Sequence, residues 1–203
     1  MGGMAPVGRS GSGHRELRSD AQRNREQLAQ AAVTAVHRDG LAVPMATIAA
    51  EAGVGVGTLY RHFPTREDLL EELTCRSFQR MLDHLRQATE SDDTATEALR
   101  LFLSAVVRDR HDMLLPSTGG PAVRTDRTRA VQSELHRVIG TLIERGIGDA
   151  TILREVDVWD IAWLGATLAQ PGRPGPSWDA TCLRLLDTYL AGLGVPTGSP
   201  PSR

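Results

Sequence analysis

Apolar residues recur along most of the chain at the three- and four-residue intervals of amphipathic helices. Leu28, Ala31, Ala32, Ala35 and Val36 share one face of a first helix over roughly residues 20–39, which Ser19 and Gln22 open at capping-box spacing and Gly40 ends. Pro44 suits the start of a second, short helix that turns Ile48, Ala49 and Ala52 inward and stops at Gly53. Val56–Phe63 makes a third short segment with Leu59 and Phe63 at i, i+4, and Pro64 breaks it. Thr65 with Asp68 then caps a long helix whose inner side carries Leu69, Leu70, Leu73, Ser77, Met81, Leu82 and Leu85, and which bridges two halves of the protein.

Further helices follow to the end. Thr94 with Glu97 caps one that reaches about Arg110, and Ala122–Gly146 and Asp157–Gln170 predict two more beyond a Pro/Gly-rich loop at Leu115–Pro121. Pro171–Pro176 forms another loop, and Ser177 caps a last helix with Leu183, Leu186, Leu190 and Leu193 at 3-4-3 spacing and Cys182, Leu185 and Tyr189 on an adjoining stripe. Two stripes suit two partners, the protein's own core and a second subunit, and Leu183, Leu186, Leu190 and Leu193 are the candidate dimer interface; a single wide buried stripe is the alternative. Trp159 and Trp163, at i, i+4, either fill core or dimer contacts or wall an apolar ligand site, and helix phase adds Phe78, Leu82, Phe102 and Val106 to the same candidate pocket.

Composition agrees with this pattern. The chain has 203 residues and 22.0 kDa, with 40 % hydrophobic, 24 % charged and only 4 % aromatic residues, which predicts an all-α protein without a sheet. The expected architecture is an N-terminal three-helix module over residues 20–66 and a larger helical body over 67–195, about nine helices in all. Met1–Arg18 reads as a disordered arm, placed at residues 1–19, and 196–203 as a polar tail. No long uncharged apolar run suggests a membrane span, and no secretory signal is visible, so the expected compartment is the cytoplasm. Cys75 and Cys182 lie far apart without metal-ligand spacing and read as buried reduced thiols.

Charge changes the picture locally. The net charge is −2, yet Met1–Arg66 carries eight Arg against five Asp/Glu, while Glu67–Arg203 carries 15 Arg against 20 Asp/Glu. No lysine occurs, so every strong cation is a forked guanidinium. A near-neutral chain does not coat nucleic acid, but it leaves room for a basic face at the front.

The sequence concentrates its chemistry in Ile48-Ala49-Ala50-Glu51-Ala52-Gly53-Val54-Gly55-Val56-Gly57-Thr58-Leu59-Tyr60-Arg61-His62-Phe63. Two short helices around a glycine turn, with small Ala49 at the crossing, describe a helix-turn-helix whose second helix enters the DNA major groove. Its outward positions are Gly55, Val56, Gly57, Thr58, Tyr60, Arg61 and His62. Thr58 and Tyr60 offer hydroxyls to phosphates, the N–H groups near Gly55–Gly57 suit an anion, Arg61 suits phosphate or guanine, and Val56 suits a thymine methyl.

Val43–Leu70, with Gly-Thr-Leu-Tyr-Arg-His-Phe-Pro-Thr-Arg-Glu-Asp-Leu-Leu, resembles the DNA-binding module of TetR-family transcriptional regulators. The resemblance covers about residues 20–70 and implies a cytoplasmic repressor that binds double-stranded DNA as a homodimer, with a pocket for a small apolar effector in the C-terminal helices. It places Arg66 where a lysine is usual and implies a phosphate contact there. Pro44-Met45-Ala46 and Gly55 depart from the family pattern, shifting specificity toward Val56, Arg61, DNA shape and the arm. A homodimer would set its recognition helices about 34–36 Å apart on a near-palindromic site.

Other chemistry is not indicated. Gly53-x-Gly55-x-Gly57 follows a helix and lacks a Gly-Lys-Ser/Thr ending, so it is not a nucleotide loop. Asp109, His111 and Asp112 read as a solvated helix end, not a metal site. The six histidines are scattered without a nucleophile, and neither enzymatic activity nor a cofactor is expected. Two rivals remain: a small-molecule-binding helical protein with a non-functional DNA-binding half, and a helical enzyme acting on an apolar substrate.

Overall fold

The computed structural model describes residues 12–90, 93–116, 120–170 and 176–194, with backbone alone for 12–23 and 176–177. Among them the chain is all-helical: α1 (Ser12–Asp39), α2 (Met45–Glu51), α3 (Val56–His62), α4 (Arg66–Thr89), α5 (Ala95–Arg108), a 3-10 turn (Arg110–Asp112), α6 (Asp126–Gly148), α7 (Val158–Leu168) and α8 (Pro176–Leu193). The start of α1 at Ser12 corrects the expected start near residue 20, so residues 12–19 are helical. Residues 1–11 of the expected arm and its tail at 196–203 lie outside the described residues.

The predicted caps act locally. Thr65 Oγ1 accepts from the Asp68 N–H at 3.0 Å while Asp68 Oδ2 accepts from the Thr65 N–H at 3.1 Å, a reciprocal box that starts α4. Thr94 caps α5, and Asp157, expected only as the first residue of its helix, caps α7 through the N–H groups of Trp159 and Asp160. The Ser177 cap lies outside the described side chains. Helix α6 starts at Asp126, later than the expected Ala122, because the chain before it is held extended: the Arg124 and Thr125 N–H groups and the Thr125 hydroxyl all donate to Glu71 of α4.

Two hydrophobic cores share α4. The first packs Leu28, Val36, Ile48, Leu59 and Phe63 against Leu69, Leu70 and Leu73, with Leu114 closing it. The second gathers Phe78, Leu82 and Leu85 with buried residues of α5, α6, α7 and α8. One rigid helix thus carries both halves, as its unbroken apolar face predicted.

Ionic links reinforce this junction. Glu72 of α4 accepts from Arg25 of α1 at 3.0 Å, Arg76 at 3.0 Å and Arg127 of α6 at 3.1 Å. Burial alone would raise its pKa, but these guanidiniums bring it below the ordinary value. Asp109 and Asp112, read in the sequence as a solvated helix end, are tied to other helices: His84 donates to Asp109 at 2.8 Å, and Gln30 of α1 to Asp112 at 2.7 Å. No helix among the described residues is long and apolar enough to cross a membrane, and none of their His, Cys, Asp and Glu side chains form a group of three suited to a metal. Both cysteines are buried thiols, and burial pushes the Cys182 thiol upward.

Candidate nucleic-acid interface

Helices α2 and α3 are seven residues each, too short to persist alone, and packing holds them. Between them Gly53 takes φ +67°, a left-handed conformation that glycine adopts without Cβ strain. The Gly53 N–H bonds to Ala50 O at 3.0 Å and the Val54 N–H to Ala49 O at 2.9 Å, closing the turn. Ile48 and Ala49 of α2 and Leu59 of α3 are buried, and Phe63 seals the end of α3.

That packing leaves one face of α3 to solvent. Gly55, Gly57 and Arg61 are exposed, Val56 is 43 % and Tyr60 47 % exposed, and Thr58 and His62 are half-buried. Arg61 Nη2 donates to Thr58 Oγ1 at 3.0 Å, which orients the guanidinium along the same face. Large side chains held in water by a well-packed scaffold have no structural task there. Gly55 and Gly57 sharpen the point: neither has a positive φ, and a Cβ at either would meet nothing within 4 Å. The fold does not need glycine at these positions, whereas a closely approaching partner surface would.

Arg66, the expected phosphate contact, is half-buried and has a structural role as well. Its Nη1 donates to Leu41 O at 2.9 Å and also to Val43 O, so this guanidinium braces the turn between α1 and α2. Arg38 joins α1 to α2 through Glu51 at 2.9 Å. Arg25, not singled out in the sequence, lies 5.4 Å over the Phe63 ring while pairing with Glu72. No local signal marks it, because its partners lie 38 and 47 positions further along the chain.

Residues 28–73 match the family described as "Bacterial regulatory proteins, tetR family". Over 97 residues the chain is 29 % identical to an HTH-type transcriptional regulator of Staphylococcus aureus, covering 47 % of this chain and 52 % of the relative. It thus spans about half the length of the curated relatives it matches. The solved TetR transcription regulatory protein from Mycobacterium vanbaalenii superposes with a TM-score of 0.62 at 28 % identity, covering 88 % of this chain and 99 % of that one. A TetR transcriptional regulator from Streptomyces coelicolor gives 0.56 at 29 % identity, covering 86 % and 99 %. Residues 28–73 thus match the TetR-family DNA-binding module, and the chain as a whole is similar to TetR-family regulators.

The helical body holds a cavity of about 320 Å³ among α4, α5, α6 and α7. Phe78, Phe102, Trp159 and Trp163 line it as the sequence suggested, whereas Leu82 and Val106 do not: both are buried in the surrounding core. The two indoles are not core filling, since Trp159 is 57 % and Trp163 60 % exposed. The proposed dimer stripe is also corrected. Leu186, Leu190 and Leu193 are buried in the protein's own core, Leu183 is half-buried, and Leu185 on the adjoining stripe is 54 % exposed.

Proposed function

We propose that the protein is a cytoplasmic transcriptional regulator without enzymatic activity or cofactor, a homodimer that binds double-stranded DNA through α3 and responds to a small apolar effector. Residues 20–66 form the reading module and 67–195 the sensing and dimerising body. The observation that carries this reading is the solvent-facing side of α3: Val56, Tyr60 and Arg61 exposed on a buried scaffold, with glycines at Gly55 and Gly57 that packing does not require. In this reading Thr58, Tyr60 and His62 contact backbone and groove, Val56 and Arg61 read bases or phosphate, and Arg66 contacts phosphate while its Nη1 braces the turn before α2.

The test is selection of bound fragments from sheared genomic DNA, followed by gel shifts on the selected site at several salt concentrations. Tyr60→Ala and Arg61→Ala are each expected to weaken binding about tenfold or more with unchanged helical content, Arg61→Ala also flattening the salt dependence if it neutralises a phosphate. Full retention of binding by both variants would refute the assignment.

For the dimer, Trp159, Trp163 and Leu185 are the large apolar side chains that α7 and α8 leave exposed, and they supply the face for a second copy. Leu185→Glu is expected to shift the protein from dimer to monomer in sedimentation; an unchanged dimer would move the interface elsewhere.

A further inference from the structure

The cavity differs from the rest of this Arg-rich chain in what its wall omits. Among the described residues no Arg, Asp or Glu lines it, and apart from the two exposed indoles the polar side chains of that described wall are Gln132 and His136, one helical turn apart on α6. Phe78 and Phe102 are on α4 and α5, so the polar pair comes from α6 and the remaining described lining is mostly aromatic or aliphatic. The His136 ring stands edge-on to Trp159 with centroids 4.8 Å apart. Burial, with no contribution from a neighbouring charge, holds the imidazole below its ordinary pKa, so it is uncharged at neutral pH. A neutral imidazole offers one N–H donor and one acceptor nitrogen, and Gln132 adds an amide with both.

We propose that this cavity takes a small, electrically neutral, apolar molecule that presents a single hydroxyl or carbonyl oxygen to His136 and Gln132. The proposal rests on the reading of the body as a sensing half and names the class of ligand it senses. A carboxylate or phosphate entering this space would lose its hydration without meeting a guanidinium among the described lining residues, a cost that apolar contact does not offset. An ammonium would meet aromatic faces but no carboxylate. A neutral oxygen pays only partial desolvation and recovers it in hydrogen bonds to the polar pair, while the chain or ring behind it fills the aromatic walls.

The test uses the full chain and three probes with the same ten-carbon tail, decan-1-ol, decanoate and decyltrimethylammonium, below their micellar concentrations. Binding is read from intrinsic tryptophan fluorescence, to which Trp159, Trp163 and Trp178 all contribute, and from thermal shift at pH 7. Decan-1-ol is expected to bind at least tenfold more tightly than either charged probe. His136→Leu is expected to weaken decan-1-ol about fivefold while leaving the weak binding of the ammonium unchanged. Tighter binding of decanoate or of the ammonium would overturn the ligand class and leave the sensing reading standing. Unchanged decan-1-ol binding in His136→Leu would overturn the assigned polar contact. Failure of all three probes to bind would remove the cavity as a ligand site, and the sensing reading with it, while DNA binding in the gel shift stood independently. If His136→Leu does not fold, the ranking of the three probes on the unaltered protein still decides.

Discussion

Phe63→Ala is expected to melt the N-terminal module before the body and to abolish retention of DNA. Phe63 is almost wholly buried and is the only aromatic among the buried residues of the first core, where it closes the end of α3 against α1 and α4. Truncating such a side chain costs about 3–5 kcal/mol, through lost transfer energy and the cavity left behind. The loss falls on a module of two seven-residue helices that exist only through this burial. The Arg25 guanidinium above the ring loses its aromatic contact as well. Circular dichroism should therefore show a low-temperature transition split from that of the body, and amide exchange should accelerate in α2 and α3 first. A single unsplit transition at the unaltered midpoint would contradict the two-core description.

Much of the module could be read directly because its punctuation is local. Pro44, Gly53 and Pro64 delimit α2 and α3, Thr65 and Asp68 cap α4 within four residues, and Leu59 and Phe63 declare their face by spacing alone. What local spacing leaves out are remote partners. Arg66 has the position and charge of a phosphate contact, and its further bonds to the carbonyls of Leu41 and Val43 lie in a turn that only the tertiary fold brings near. The 3-4-3 spacing of Leu183, Leu186, Leu190 and Leu193 marks an apolar stripe without saying what covers it, and the intramolecular core covers the last three. Leu82 and Val106 point inward as helix phase demands, yet a cavity is a place where side chains fail to meet, which phase does not encode. Glu71 is the plainest case. A carboxylate on an otherwise leucine-rich face looks misplaced until the start of α6, more than fifty residues away, is seen to require it.

Glu71→Leu is accordingly expected to destabilise the body in spite of adding apolar surface. The carboxylate accepts from the Arg124 N–H at 3.0 Å, the Thr125 N–H at 3.0 Å and the Thr125 hydroxyl at 2.6 Å, tying the start of α6 to α4. Its removal leaves these partly buried donors without an acceptor, at about 1–3 kcal/mol each where water does not replace it. A net loss of about 2–4 kcal/mol and a fall of roughly 5–15 °C in melting temperature follow. The pH dependence separates this effect from a packing defect. Burial acts to raise the Glu71 pKa, but the donors from Thr125, Thr128 and Arg124 outweigh it and bring the carboxyl below its ordinary value. A depressed folded pKa makes the contribution complete above the unfolded value of about 4.3 and lost as pH falls through the folded one. The stability gap between the unaltered protein and Glu71→Leu should therefore be widest near neutrality and narrow in acid. A gap that stays constant as the pH is lowered would mean that leucine's shape, and not the missing carboxylate, unsettles the junction.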